Sequence, residues 1–428
     1  MHLSFVFIAA VGLLYFLLCL RQFDLFSVAF LSGWVYFLPG FFGYTVAPMT
    51  GAMHAPVDLE NQTYVVMMAV LIAIWFGALL SDYAPRRDVL ALRLQGSESA
   101  PMWAVTLAVI GYLLLVATAG EALLLDDKIT MMESLNRWHI LGATAAPLGA
   151  VLSFACRRWF LCALSMMLLL FDMYIGFRVS FAIAMIAIVT LYLVRDGTQR
   201  LAIKNWKIGC MGMAFVSLLL VYKQIFVAMK LGMWDVIAER IQDTDLYTTA
   251  IMMSEPFNTQ AILNEVVAQD FRVGMGHLRD ISSQFVLFSP ELGGAPLSFN
   301  DLFQPTLFPS DLDYGMANNI WAEMLSSGGW PLLGLFIGIF VSMLLLGSYL
   351  IRSRDPILAA GAALTFSYWA FYIHRNDLLY QINLEKRTIL VWTACVVLSQ
   401  IFRAAHFRDR AKHPGSHGVA SVGASESG

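Results

Sequence analysis

Charge is scarce in this chain. Asp, Glu, Lys and Arg make up 13% of its 428 residues, where soluble domains carry about 25%. That shortage, with 59% hydrophobic residues and a mean hydropathy of +0.68, excludes a string of soluble domains. Basic blocks with interleaved aromatics are missing, which excludes a nucleic-acid partner. Cysteines are few. Cys19, Cys156, Cys162, Cys210 and Cys395 all fall in apolar runs or short connecting loops, and no Cys/His spacing suits zinc. The chain also lacks a Gly-rich P-loop, an HExxH and a GxSxG. Asp311-Leu312-Asp313 alone does not make a metal site, so no metal and no cofactor are expected.

What the chain has is apolar runs, recurring at the roughly 20-residue length that crosses a bilayer. Spans are read at 3–20, 26–47, 64–81, 102–119, 140–156, 159–176, 179–194, 208–227, 330–351, 356–373 and 388–402. In lipid each must be helical, because every backbone group needs an internal partner. The expected fold is therefore an all-α polytopic bundle of eleven spans. A further span hidden in the first hairpin would make twelve. The start lacks the basic n-region of a signal peptide, so the first run is expected to remain as a membrane helix. Alternate short loops hold Arg21; Arg86, Arg87 and Arg93; Arg157 and Arg158; Arg195, Arg200, Lys204 and Lys207; Arg352 and Arg354; and Arg403, Arg408, Arg410 and Lys412. These are 16 of the 27 basic residues, which makes that side cytoplasmic. The N-terminus is then outside and the C-terminus inside. Residues 1–411 form one membrane domain, and the Gly/Ser/Ala-rich tail 412–428 is expected to be disordered. No internal repeat is visible, although repeats mark many transporters.

One loop of about 100 residues, 228–329, breaks the pattern, and long loops tend to carry function. Helices are expected near Trp234–Glu239, at Asn258–Ala268 after Pro256, and at Met316–Ser327. The middle, with Pro290, Gly293, Gly294, Pro296, Pro305 and Pro309, reads as irregular. Residues 120–139 are mixed apolar and acidic and suit an interfacial or re-entrant piece.

Several residues in and around this loop can carry chemistry. The segment Phe271–Asp280 concentrates Arg272, Arg279 and His277 with Gly274 and Gly276. Arginine forks suit phosphate, glycines admit an anion to backbone amides, and histidine can take a proton from a hydroxyl. Asn319 and Glu323 lie four apart on an expected helix, so they share a face. Glu323 is either an activating carboxylate or a helix-face acid bonded to a neighbour. Arg375 and Asp377 in the last outer loop form either a local salt bridge or part of a site. Arg178 at a span edge either snorkels to headgroups or contacts a lipid pyrophosphate. Asp172 suits an ion pair with Arg178 or Lys223, and His139 has no evident partner and reads as a structural histidine.

The run Asn318-Asn319-Ile320-Trp321-Ala322-Glu323 through Gly328-Gly329-Trp330-Pro331 resembles the bacterial O-antigen and exopolysaccharide repeat-unit polymerases of the Wzy type. Gly176-Phe177-Arg178 is similar to that family's Gly-x-Arg, and Arg375-Asn376-Asp377-Leu378 to its Arg-x-Asp-Leu. The related O-antigen ligases place a His-Asn pair where this chain has Asn318-Asn319. The resemblance implies a metal-independent GT-C-like glycosyltransferase in the bacterial inner membrane. It implies undecaprenyl-diphosphate-linked oligosaccharides as donor and acceptor, and a chain-length regulator as a further partner. Diphosphate or sugar contacts are expected from Arg178, Arg375, Asn318, Asn319 and Asp377 on the matching motifs and from Arg272 and Arg279 on arginine–phosphate chemistry. His277 and Glu323 are expected as catalytic residues on chemistry alone. An O-antigen ligase or other polyprenyl-dependent glycosyltransferase is the nearest alternative. A lipid-linked oligosaccharide flippase is the second.

Overall fold

The computed structural model describes residues 1–17, 21–48, 54–83, 94, 97–120, 123, 134–195, 228–229, 232–242, 250–252, 254–285, 296–308 and 316–412. Lys223, the expected span 208–227, most of the expected interfacial piece, the Gly293-Gly294 and Asp311–Asp313 stretches and the tail beyond 412 lie outside them.

The chain is an all-α membrane protein. Among the described residues, six helices are long and apolar enough to cross a bilayer: α4 (Asn61–Tyr83), α5 (Ala100–Ala119), α6 (Arg137–Ala155), α13 (Ile320–Ile351), α14 (Pro356–Phe371, continued by a 3-10 turn to Arg375) and α15 (Leu378–Lys412). Four shorter apolar helices accompany them: α1 (His2–Leu17), α2 (Leu25–Tyr36), α7 (Trp159–Tyr174) and α8 (Val179–Arg195). The large apolar side chains of Phe7, Phe76, Leu113, Phe160, Met167, Leu335 and Ile401 point out of the bundle. Such a band is costly in water and favourable against acyl chains.

The most enclosed of the long helices is α14, which packs against α2, α6, α8, α13 and α15. Its run Ala359-Ala360-Gly361-Ala362-Ala363 is buried. Small side chains let five neighbours approach one axis, the usual device where lipid supplies no hydrophobic drive between helices. α5 and α6 approach each other closely. A Cβ added at Gly111 would lie 2.6 Å from the Gly142 amide nitrogen and 3.0 Å from the Trp138 carbonyl oxygen. Backbone cannot rotate away as a side chain can. Gly111→Val is therefore expected to lower stability by about 1–3 kcal/mol through overpacking, read as a lower thermal midpoint in detergent.

One expected span is corrected. Residues 26–47 do not form a single helix. The first helix stops at Tyr36, Pro39 starts a separate turn, α3 (Pro39–Phe42), and Gly43 closes it at φ +85°. The chain then makes a two-stranded antiparallel hairpin, β1 (Tyr44–Pro48) with β2 (His54–Asp58), Tyr44 opposite Asp58. Proline cannot continue a helix from behind, and a left-handed glycine ends one.

The hairpin has a positioning role. It receives α10 (Glu255–Ala268), the central helix of the large loop. The Thr45 hydroxyl donates to the Phe257 carbonyl at 2.6 Å. The Asn264 side-chain oxygen accepts from the Glu60 amide and the Thr63 hydroxyl, and its amide donates to the Asp58 carbonyl at 3.1 Å. Earlier in the loop lies α9 (Trp234–Gln242), and later α11 (Met275–Ser282) and α12 (Phe299–Leu307).

Candidate functional site

The site grows from a break in α13. Gly328 (φ −147°, ψ 15°) and Gly329 (φ +67°, ψ −161°) leave helical geometry, and Pro331 restarts the helix. The conformation at Gly329 is one that only glycine adopts readily. Residues 330–351 then measure about 33 Å at 1.5 Å per residue, enough for a hydrocarbon core of about 30 Å. Residues 320–327 form a separate buried two-turn helix at the mouth of that span. The expected helix at Met316–Ser327 starts later than read, because Asn319 caps it. Its side-chain oxygen accepts from the amides of Trp321 (3.0 Å) and Ala322 (3.1 Å), and its side-chain amide donates to the Thr259 carbonyl. Asn at this position satisfies amides that the first helical turn leaves open.

The far end of the short helix is closed by the segment 270–274. The Val273 and Gly274 amides donate to the Ser326 carbonyl, and the Arg272 guanidinium donates to the Leu325 carbonyl at 3.0 Å. A cation suits these carbonyls because helix C-termini carry partial negative charge. Arg272 also pairs with Asp270 at 2.6 Å and remains half-exposed.

Beyond Gly274 (φ +83°) the chain turns into α11, where the sequence suggested an anion-binding loop. Gly276 lies inside this helix, so the two glycines do not form a backbone nest for an anion. Helical spacing separates the functional side chains. His277 and Ile281, four apart, face inward and are buried. Arg279, two residues from His277, falls on the opposite face with its side chain 87% exposed.

His277 and Glu323 meet. His277 Nε2 lies 2.9 Å from Glu323 Oε1, and with Glu323 ionised it is the Nε2–H tautomer that donates to the carboxylate. Glu323 Oε2 accepts from the Leu378 amide at 2.7 Å. The carboxylate is fully buried, and these bonds to its charged form are what make burial tolerable. Among the described residues His277 Nδ1 has no hydrogen-bond partner, which leaves a basic nitrogen oriented by a carboxylate.

Asp377 stands next to the amide that Glu323 holds. Its carboxylate accepts from the Tyr380 amide (2.7 Å) and the Phe299 amide (3.2 Å), joining the start of α15 to the start of α12. Burial pushes its carboxyl above the usual carboxylate range, against those two amides. The alternative of a local Arg375–Asp377 bridge is corrected. Arg375 pairs instead with Glu255 of α10 at 2.7 Å, and its guanidinium lies 4.9 Å from the centre of the Tyr372 ring. The Asn318 amide donates to the Arg375 carbonyl. Glu255→Gln is expected to free Arg375 at modest cost, about 1 kcal/mol or less, because both groups are partly open to solvent. A thermal-unfolding comparison with wild type checks it.

The structure thus brings together His277, Glu323, Asp377, Asn318, Asn319 and Arg375, with Arg272 at the edge of the group. Arg279 stays outside it. Arg178 is half-buried before α8, and no hydrogen bond or ion pair among the described residues joins it to the group. The anticipated pairing of Asp172 with Arg178 is corrected. Asp172 is buried in the bundle and its Oδ1 lies 3.0 Å from His139 Nε2. Sequence carries no register between α6 and α7, so that partner was invisible. Glu255 was missed as well. Ser254-Glu255-Pro256 reads as a helix start, and the shared face of Glu255 and Thr259 was its only signal. Buried polar atoms of Gln260, Asn318 and Ser327 lack partners among the described residues. They lie on the same elements, α10 and the start of α13.

The fold and site together define a class: a helical membrane protein with a buried His–Glu pair at the mouth of one span. No protein-family model, characterised protein or solved structure matches the chain.

Proposed function

We propose that this chain is a GT-C-like membrane glycosyltransferase that polymerises undecaprenyl-diphosphate-linked oligosaccharide repeat units. The observation that carries the reading is the buried His277–Glu323 pair at the mouth of the span beginning at Trp330, with Arg272 bonded to the end of the same short helix and Arg375 two residues before Asp377. In this reading the protein has eleven spans in a bacterial inner membrane. The 228–329 loop faces the periplasm and the C-terminus faces the cytoplasm.

The chemistry uses the pair as a base. An acceptor sugar hydroxyl gives its proton to His277 Nδ1 as its oxygen attacks the anomeric carbon of the donor. Glu323 holds the imidazole and stabilises the imidazolium that forms. The anomeric C–O bond to the diphosphate breaks, and the lipid diphosphate leaves with the electron pair. Negative charge grows on that group, so cations aimed at it contribute most. Arg375 and Arg272 sit at the site, and Arg178 is a further candidate from a separate helix. The unmatched polar atoms of Gln260, Asn318 and Ser327 suit the hydroxyls of a sugar. Asn318-Asn319, in place of the ligases' His-Asn, favours polymerase over ligase.

Arg272→Ala is expected to shorten surface polysaccharide sharply while Arg279→Ala leaves it unchanged. Gel electrophoresis of surface polysaccharide from complemented cells reads both. Equal chain lengths in the two variants would remove Arg272 from the proposed site.

A further inference from the structure

α11 ends against the bundle. It runs into a 3-10 turn, Ser283–Phe285, that packs on α15. Lys386 of α15 donates to the Gln284 carbonyl at 2.9 Å. Arg387 follows Lys386 and immediately precedes the apolar run at 388–402, whose Ile389, Leu390, Val397 and Ile401 are exposed. The joint between the turn and α15 therefore sits at the rim of that span, where lipid headgroups meet the bundle. It is at the same end of the molecule as His277 and Glu323.

Three donors at this joint lack an acceptor or a counter-charge. The half-buried Arg387 guanidinium has no hydrogen bond and no carboxylate within 4.0 Å among the described residues. Its electrostatic neighbours are the Tyr368 and Tyr380 hydroxyls and the Lys386 ammonium, none of them an anion at neutral pH. Lys386 has the Gln284 carbonyl but no carboxylate within 4.0 Å among the described residues. Gln284 is 2% exposed, and its side-chain Nε2 donates to nothing among the described residues. The carboxylates nearby are taken or turned away. Glu385 accepts from Gln381 Nε2 at 2.8 Å, and Asp377 from the Tyr380 and Phe299 amides. Asp280 is largely exposed beside Arg279. Snorkelling accounts for a single cation at a span edge. It does not account for a buried amide donor beside two cations, which together call for an anionic acceptor.

We propose that the joint of Gln284, Lys386 and Arg387 binds the phosphate of an anionic phospholipid. A guanidinium fork takes two phosphate oxygens, and the ammonium and the amide suit the others. Basic sites between elements at headgroup level are suited to anionic lipid. A lipid fits better than a soluble anion because Phe285, 68% exposed, and Leu390 flank the cations with apolar surface. The bound lipid pins the turn after α11 to α15, and so steadies the helix that carries His277. None of the three residues belongs to the proposed chemistry, so the site is independent of the glycosyltransferase reading.

The test uses the purified full chain in nanodiscs of mixed phosphatidylcholine and phosphatidylglycerol, with retained lipid counted by native mass spectrometry. Wild type is expected to retain phosphatidylglycerol in preference to phosphatidylcholine. Lys386→Gln/Arg387→Gln is expected to lower that preference by about tenfold or more, the worth of one lost charge-assisted hydrogen bond. Arg137→Gln removes an exposed cation from the same end of the bundle and is expected to keep the preference. Gln284→Glu keeps the side chain's size and supplies the missing carboxylate from within. It is expected to abolish the preference, and it serves should the double variant fail to fold. Equal retention of both lipids by wild type overturns the proposal. So does an unchanged preference in the folded double variant or in Gln284→Glu, or an equal loss in Arg137→Gln, which would reduce the effect to bulk charge. A thermal midpoint raised by inorganic phosphate without any lipid preference would make the ligand a soluble anion and overturn the lipid assignment.

Discussion

His277→Ala is expected to leave a folded, membrane-inserted protein with turnover reduced by about 10²–10⁴-fold, the usual worth of a general base. The substitution removes the basic nitrogen and leaves Glu323 bonded to the Leu378 amide. Because that amide stays satisfied, the start of α15 keeps its place, and the loss should appear in the rate constant for chemistry more than in acceptor binding. His277→Gln separates positioning from proton transfer. It can still donate to Glu323 but cannot take a proton near neutral pH, so it should be as slow as alanine. Activity near wild type in His277→Gln would show that the imidazole orients and does not catalyse.

Glu323→Ala should act differently, with its largest effect on stability. The carboxylate is fully buried and ties α11 to α15 through His277 and Leu378. Its removal leaves two donors, His277 Nε2–H and the Leu378 amide, without their acceptor at a fully buried position. Breaking a buried charged network in this way costs about 3–5 kcal/mol. Glu323→Gln keeps the shape and one acceptor oxygen, so it should recover most of the stability and little of the activity. Thermal unfolding and turnover, measured on all three proteins, check both halves. A Gln variant that restores activity together with stability would assign Glu323 a purely structural role.

The helical bundle was legible in the sequence because length and apolarity are local properties. Ten of the eleven expected spans fall on described helices, and the eleventh lies outside the described residues. The second of the ten ended early, at Tyr36, because Pro39 and Gly43 outweigh the apolar run around them. The members of the candidate site were legible one by one, through residue chemistry: a histidine, an acid on a helix face, arginines beside glycines. Their grouping was less so. His277 is 46 positions from Glu323 and meets it only because 271–280 turns into a helix. The glycines of that segment suggested a loop that could gather Arg272 and Arg279 on one anion, whereas helical spacing turns the Arg279 side chain outward. His139 with Asp172, and Arg375 with Glu255, depend on helix packing that no local pattern encodes.

The most direct test is reconstitution of the purified protein in liposomes with one lipid-diphosphate-linked oligosaccharide. A ladder of lipid-linked products spaced by one repeat unit is the expected result. The ladder should be lost in His277→Gln while that variant's thermal midpoint stays close to wild type. Transfer of the sugar to another acceptor, lipid-linked substrate crossing the bilayer without elongation, or a full ladder from His277→Gln would each contradict a polymerase that works through this pair.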